Sequence, residues 1–237
     1  MVLSRAVSAV TRVCFVACLL AAAAASAAAQ SPPGSVSMSA TVSKFVEINS
    51  GGPVTLSGNS GGGVTADGTN GQPLAVTIQL GELGPANASS FVTATVPLKI
   101  RSNAGYVLSM SATVSSTGTT PNRIMASDVG FGLGAATRSG LGVNTSGTDT
   151  PAASTDPTLA VNGSVDAATG RYAFTAAKSH LGAFAASSTV LSGSYVMNAV
   201  PRTNTNGLSV PAIFAIKPQF FENGSTLISV SFTVSAP

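Results

Sequence analysis

Few side chains in this sequence could carry covalent chemistry. The 237-residue chain has two cysteines, Cys14 and Cys18, and one histidine, His180. Nucleophilic catalysis needs a nucleophile, a base and a group that orients the base. His180 stands in a Lys-Ser-His-Leu segment typical of a surface histidine, and Ser192 lies in a Leu-Ser-Gly-Ser-Tyr segment typical of a turn into a strand. The sequence therefore predicts a protein that is not an enzyme.

Metal and cofactor sites are predicted to be absent as well. One histidine does not supply the usual zinc ligands. Residues 67–71, Asp-Gly-Thr-Asn-Gly, resemble a calcium loop faintly but lack its alternating acids and its bidentate glutamate. The eight acidic residues are scattered singly, although folding can still bring two carboxylates together. We predict no metal and no cofactor.

The composition narrows the possible partners. Only 8% of the residues are charged, and Lys and Arg exceed Asp and Glu by three without forming a basic run. This balance argues against a nucleic-acid partner. With no Trp and three Tyr, an aromatic platform for sugars is not expected, whereas a sugar site built from hydrogen bonds stays open.

The N-terminal residues have the organisation of a secretory signal peptide. Arg5 and Arg12 precede the apolar stretch 13–25, and Ser-Ala-Ala-Ala at 26–29 supplies small residues for cleavage after Ala29. A membrane anchor needs roughly 20 apolar residues, so we expect no membrane span after cleavage. An uncleaved anchor and a lipoprotein modified at Cys18 are the alternatives. The mature chain, residues 30–237, is then a single secreted domain without cysteine, in the periplasm or outside a bacterial cell.

Alternation of apolar and hydroxyl side chains dominates the mature chain. Such alternation indicates antiparallel strands with one buried and one solvated face. It predicts an all-β fold, an antiparallel two-sheet β-sandwich of about ten strands. The apolar rows run over residues 36–42, 74–80, 92–100, 106–114, 208–216 and 226–234.

The segments between the rows predict turns and one long loop. Asn103-Ala104-Gly105 predicts a tight hairpin joining 92–101 to 106–114, and 166–170 predicts a second hairpin with Gly170 left-handed. Pro97 predicts an edge strand or a bulge, since proline lacks a ladder donor. Residues 134–157 show little periodicity and predict a long flexible loop or a binding loop.

Three segments of the chain resemble colonization-factor-type fimbrial subunits. These are the small-residue strand after the signal, 36–48, the strand pair 91–114 and the final strand 227–234. More loosely, they are similar to spore-coat-U-like and cell-wall-binding β-domains. The resemblance implies an Ig-like or pilin-like sandwich and a structural or adhesive protein of the cell surface.

In the fimbrial family, an N-terminal extension adds a strand to a neighbouring subunit. The resemblance implies that Val36, Met38, Ala40 and Val42 would be the inserted residues, with copies of the chain or other surface subunits as partners. The alternatives are that this strand pairs within its own domain, and that the protein is a monomeric extracellular module for a ligand or carbohydrate.

Overall fold

A computed structural model describes residues 39–59, 61–67, 73–84, 90–197 and 206–237. The predicted signal peptide, residues 1–29, lies outside this part of the chain. Within it there are fourteen strands and three single-turn 3₁₀ helices, the latter at Ala126–Asp128, Ala160–Asn162 and Leu181–Phe184. The strands are β1 Val46–Ser50, β2 Thr55–Ser57, β3 Gly63–Asp67, β4 Leu74–Gln79, β5 Val92–Ser102, β6 Tyr106–Ser116, β7 Val129–Leu133, β8 Thr137–Ser139, β9 Asp149–Pro151, β10 Gly163–Val165, β11 Tyr172–Phe174, β12 Ser188–Gly193, β13 Gly207–Ile216 and β14 Thr226–Ser235.

The strands form two six-stranded sheets and one small ribbon. Sheet A has the order β1-β5-β13-β7, with β2 also pairing with β5 and β8 also pairing with β13. Sheet B has the order β3-β4-β14-β6-β12-β9, and β10 pairs with β11 alone in the described part. Every pairing given for these strands is antiparallel. The all-β prediction is confirmed, and the two sheets are consistent with a β-sandwich.

One hydrophobic core lies under both sheets. Alternate residues of β4, β5, β6, β13 and β14 are buried in it, as the period of two requires. Phe131 of β7 lies at its centre, with ring centroids 5.2 Å from Phe184, 5.3 Å from Phe214 and 6.3 Å from Phe232. Phe214 belongs to sheet A, Phe232 to sheet B and Phe184 to the last 3₁₀ helix, so Phe131 packs against three parts of the fold.

The outer face of sheet B carries hydroxyl side chains in register. Thr65 lies opposite Thr77, Thr77 opposite Ser229, and Ser229 opposite Thr113, which makes a row across four strands. Cross-strand Thr and Ser pairs of this kind stabilise a sheet without charge. We call this surface the hydroxyl face.

The predicted hairpin between residues 92–101 and 106–114 is wrong. The turn lies where the sequence places it, but β5 belongs to sheet A and β6 to sheet B. The chain crosses here from one sheet to the other. Both arrangements bury the same alternate residues, so the pattern does not separate them. The second hairpin is confirmed: β10 pairs with β11, and Gly170 has a φ of 69°.

The edge position predicted from Pro97 is also wrong. β5 is paired on both sides, and Pro97 lies directly opposite Pro211 of β13. On the other side, the neighbouring strand is interrupted between β1 and β2, where the Gly51 N–H donates to the Pro97 carbonyl at 2.7 Å. Proline has no backbone N–H, so the interruption of the neighbouring strand lies where Pro97 could not donate a hydrogen bond to it.

Candidate interaction surfaces

The proposed strand-exchange residues lie at the start of the described chain or before it. Val36 and Met38 fall outside the described residues, whereas Ala40 and Val42 are exposed. Residues 39–45 form no strand, and Val42 is 84% exposed. Whether this segment exchanges between subunits stays a prediction.

Hydrogen bonds to Ser43 and Phe45 fix the chain just after this segment. The Phe45 N–H donates to the Asn103 side-chain oxygen at 2.7 Å, and the Asn103 N–H donates to the Phe45 carbonyl at 3.1 Å. The Asn103 amide group also donates to the Ser43 carbonyl at 3.0 Å, and Lys44 donates to the Pro237 carbonyl. The turn that joins the two sheets thus fixes the chain from Ser43 onward.

The segment 134–157 contains β8, β9 and an ion pair that joins the two sheets and is little exposed to solvent. Arg138 of β8 donates two hydrogen bonds to Asp149 of β9, at 2.8 and 2.7 Å. The Arg138 side chain is 5% exposed and the Asp149 side chain 12%. Arg138 also donates to the carbonyls of Asn144, Ser194 and Tyr195 at 2.8–3.1 Å. The predicted flexibility of this segment stays a prediction.

Tyr106 of β6 completes this cluster by donating its phenol O–H to Asp149 at 2.6 Å. Burial, followed by this hydrogen bond and the Asp149 charge, raises the pKa of Tyr106 well above its ordinary value. The phenol therefore stays protonated in the folded protein at pH values where the unfolded chain would ionise it.

Tyr106 should make the protein sensitive to alkali. Because its folded pKa is raised, its contribution is fully present below the unfolded pKa of about 10 and is lost as the pH rises above that value. We expect the free energy of unfolding to fall more steeply above pH 10 in the wild-type protein than in Tyr106→Phe. Urea titrations across that range check this, and parallel slopes for the two proteins would contradict it.

His180, the expected surface histidine, is half-buried. Its backbone bridges Gly130 of β7, and burial lowers the pKa of its imidazole. Within the described residues, the His180 imidazole forms no ion pair with a carboxylate, and its Nδ1 makes no hydrogen bond. Within the same residues, no group of three or more His, Cys, Asp or Glu could hold a metal. The calcium-loop resemblance at 67–71 extends beyond the described residues after Asp67.

An open groove of about 1200 Å³ lies at one end of sheet B. We call it the end groove. The ends of β4 and β6 and the start of β14 form one part of it, and segments around 123–124 and 221–225 form another. Its apolar lining includes Leu80, Leu83, Val114, Ile124 and Phe221, and its polar lining includes Gln79, Glu82, Thr117, Arg123, Glu222, Asn223 and Ser225.

Two local anchors shape the end groove. Glu222 accepts the Thr119 N–H at 2.6 Å and the Thr119 hydroxyl at 2.8 Å through one oxygen, Oε2, and these bonds lower the pKa of its carboxyl. The Arg171 guanidinium lies 5.4 Å from the centroid of the Phe221 ring. Arg171 is itself bonded to the buried Asp128 at 2.9 Å. The aromatic ring and the carboxylate are therefore both held in place.

Sequence reasoning did not identify the end groove, because its residues come from five separate stretches of the chain. The one local signal was the run Phe220-Phe221-Glu222-Asn223, where two aromatic residues meet an acid and an amide before a glycine. Loop 134–157 contains the Arg138 ion pair, and its role as a binding loop stays a prediction.

Comparisons with known proteins find no family model, no curated protein and no solved structure that matches this chain. The fimbrial resemblance therefore stays a prediction from sequence patterns. No helix in the described part is both long and apolar enough to cross a membrane. Function is argued below from the geometry of these surfaces.

Proposed function

We propose that the chain is a secreted, non-catalytic structural or adhesive protein of a bacterial cell surface, whose copies join by N-terminal strand exchange. The observation that carries this proposal is the exposed segment before β1. Residues 39–45 form no strand, and Val42 is 84% exposed, although its row of apolar residues is typical of a buried strand face. Exposed apolar side chains such as Ala40 and Val42, in a segment whose described residues form no strand, suit pairing with another subunit.

The mechanism is the addition of an extended segment to a neighbouring sheet. Backbone hydrogen bonds supply affinity in such complexes, and alternate side chains supply specificity. Ala40 and Val42 would enter the neighbour's core, while Ser39 and Thr41 would face solvent. Asn103 would hold the base of the segment through the Phe45 and Ser43 bonds described above. The uncharged hydroxyl face adds little repulsion between packed copies.

Strand exchange predicts oligomers of residues 30–237 that resist denaturant at room temperature. We expect a ladder on an unheated denaturing gel that collapses to monomer on boiling, together with a matching distribution of masses in solution. Deleting Gln30–Ser43 should abolish the ladder. A monomer at every concentration, unchanged by heating, would reject strand exchange.

A matched pair of variants separates the two faces of the segment. Ala40→Asp with Val42→Asp puts charge on the apolar row, and Ser39→Asp with Thr41→Asp puts the same charge on the hydroxyl row. Because burying an unpaired carboxylate is costly, only the first pair should abolish the ladder. Equal loss in both pairs would point to charge repulsion and against insertion of the apolar row.

A second candidate function is a monomeric extracellular module that binds a ligand or carbohydrate. The end groove favours it, since ligand sites are concave and combine apolar surface with a few polar groups. The gel and solution masses distinguish the candidates, because this module would be monomeric. Both candidates place the protein outside the cytoplasm, with no nucleic acid and no cofactor.

A further inference from the structure

We propose that the end groove binds a neutral oligosaccharide, a segment of a cell-surface or cell-wall polysaccharide. The inference deepens the adhesive part of the proposed function and rests on it, but it does not depend on strand exchange. Its ground is the chemistry of the groove lining together with the position of the groove in sheet B.

The groove is wider than a single open sheet edge. The three strands that end in it, β4, β14 and β6, are adjacent in sheet B, but within the described residues β6 pairs with β12 only as far as Met110 and has an open edge beyond that residue. Strand addition requires an open edge of this kind. An occupant of the whole groove, whose lining also takes in 79–83 and 221–225, must be recognised by further groups besides that edge.

The polar side chains of the groove suit hydroxyl groups. Gln79 and Asn223 belong to the lining and are exposed, and neither amide makes a hydrogen bond with the described residues, so both can donate and accept. Glu222 uses Oε2 for Thr119, and its Oε1 makes no hydrogen bond with these residues. A sugar hydroxyl both donates and accepts, and amide and carboxylate groups match it in both roles.

The charges of the groove favour a neutral ligand. Its described lining holds two carboxylates, Glu82 and Glu222, and one cation, Arg123. Arg123 already donates to the Ser116 carbonyl at 3.4 Å. A phosphate, sulfate or uronate group would meet the fixed Glu222 charge, which lowers its affinity through like-charge repulsion. A polyhydroxylated neutral chain avoids this cost.

Phe221 and the size of the groove also suit an oligosaccharide. Its half-buried ring is held by Arg171 and gives an apolar surface for the C–H face of a sugar ring. The groove, at about 1200 Å³, exceeds the roughly 300–1,000 Å³ of sites for compact small ligands. Its open form suits several linked units of a chain.

Saturation-transfer NMR on the full mature chain tests the proposal, because it reports on the ligand whatever the size of the assembly. The probes are cello-, chito-, malto- and xylo-oligosaccharides, each at about 10 mM, far above the Kd of a weak site. We expect transfer to at least one of them. The double variant Gln79→Ala with Asn223→Ala should weaken that ligand by roughly tenfold or more, the equivalent of one good hydrogen bond.

The control variant, Ser229→Ala with Ser231→Ala, removes polar groups from the hydroxyl face and should bind as the wild type does. No transfer to any of the four probes overturns the proposal, as does binding that survives loss of Gln79 and Asn223. Stronger transfer to an oligogalacturonate, or transfer to an alternating Val-Thr peptide that the double variant abolishes, overturns it in favour of another ligand. The same probes are also measured on Ala40→Asp with Val42→Asp. This variant should lose strand exchange but keep oligosaccharide binding, so failure of one proposal can be told from failure of the other.

Discussion

Replacing Arg138 with methionine is expected to lower the free energy of unfolding by about 3–5 kcal/mol, the usual cost of breaking a buried ion pair from one side. The change removes two bonds to Asp149 and those to four backbone carbonyls. Asp149 would keep its charge and its Tyr106 bond, but it would lose its cation inside a site where its side chain is 12% exposed. Urea unfolding at pH 7 measures the effect.

Two further variants show whether the charge or the packing of Arg138 matters. Arg138→Met combined with Asp149→Leu removes both charges, and we expect it to be more stable than Arg138→Met alone. Arg123→Met is the matched control. Arg123 forms no ion pair with the described residues and donates to Ser116 at 3.4 Å, so its loss should cost under about 1 kcal/mol. Equal losses at Arg138 and Arg123 would contradict the assignment.

Replacing Phe131 with alanine should be similarly severe, with a loss of about 3–5 kcal/mol. The ring is fully buried, and it contacts Phe184, Phe214 and Phe232. Because these partners belong to different sheets and to a 3₁₀ helix, they cannot all close around the space left behind. Thermal and urea unfolding, with the m-value as a check on two-state behaviour, measure the loss.

Phe220→Ala is the control for the same change in side chain. Phe220 is 88% exposed, so its removal should alter the free energy of unfolding by no more than about 0.5 kcal/mol. A loss at Phe220 comparable to that at Phe131 would mean that the exposed ring is covered in solution, and the core assignment would need revision.

The long strands could be predicted because each carries enough residues to show a period of two. The rows at 74–80, 92–100, 106–114, 208–216 and 226–234 correspond to β4, β5, β6, β13 and β14. Three-residue strands such as β8 and β9 are too short to show a period, which explains why the described residues form fourteen strands whereas the patterns indicated about ten.

Partner choice could not be predicted, since periodicity gives the buried face of a strand and not its neighbour. The short turn at 103–105 fits a hairpin and a crossing between sheets equally well. The edge position predicted from Pro97 was wrong for a related reason, because a proline is also tolerated inside a sheet where the adjacent strand is interrupted.

The candidate surfaces also divide into one that is local in sequence and others that depend on residues far apart in the chain. The N-terminal apolar row is local in sequence and could be found directly. The end groove and the Arg138–Asp149 pair depend on residues from distant stretches, and isolated charges in a Gly- and Ser-rich segment gave no sign of pairing. Only the pairing of the strands brings them together.

The order of strands along the chain has a consequence for how the protein acquires its structure. β13 pairs with β5 and β14 pairs with β6, each more than a hundred residues earlier in the chain. Each sheet can therefore be completed only after one of the last two strands is available. Folds dominated by such distant pairings form slowly, on the order of milliseconds to seconds. Sheet B is not complete until residue 235 is available to pair with β6. The earlier apolar rows of the chain need protection from one another, or from other chains, until then.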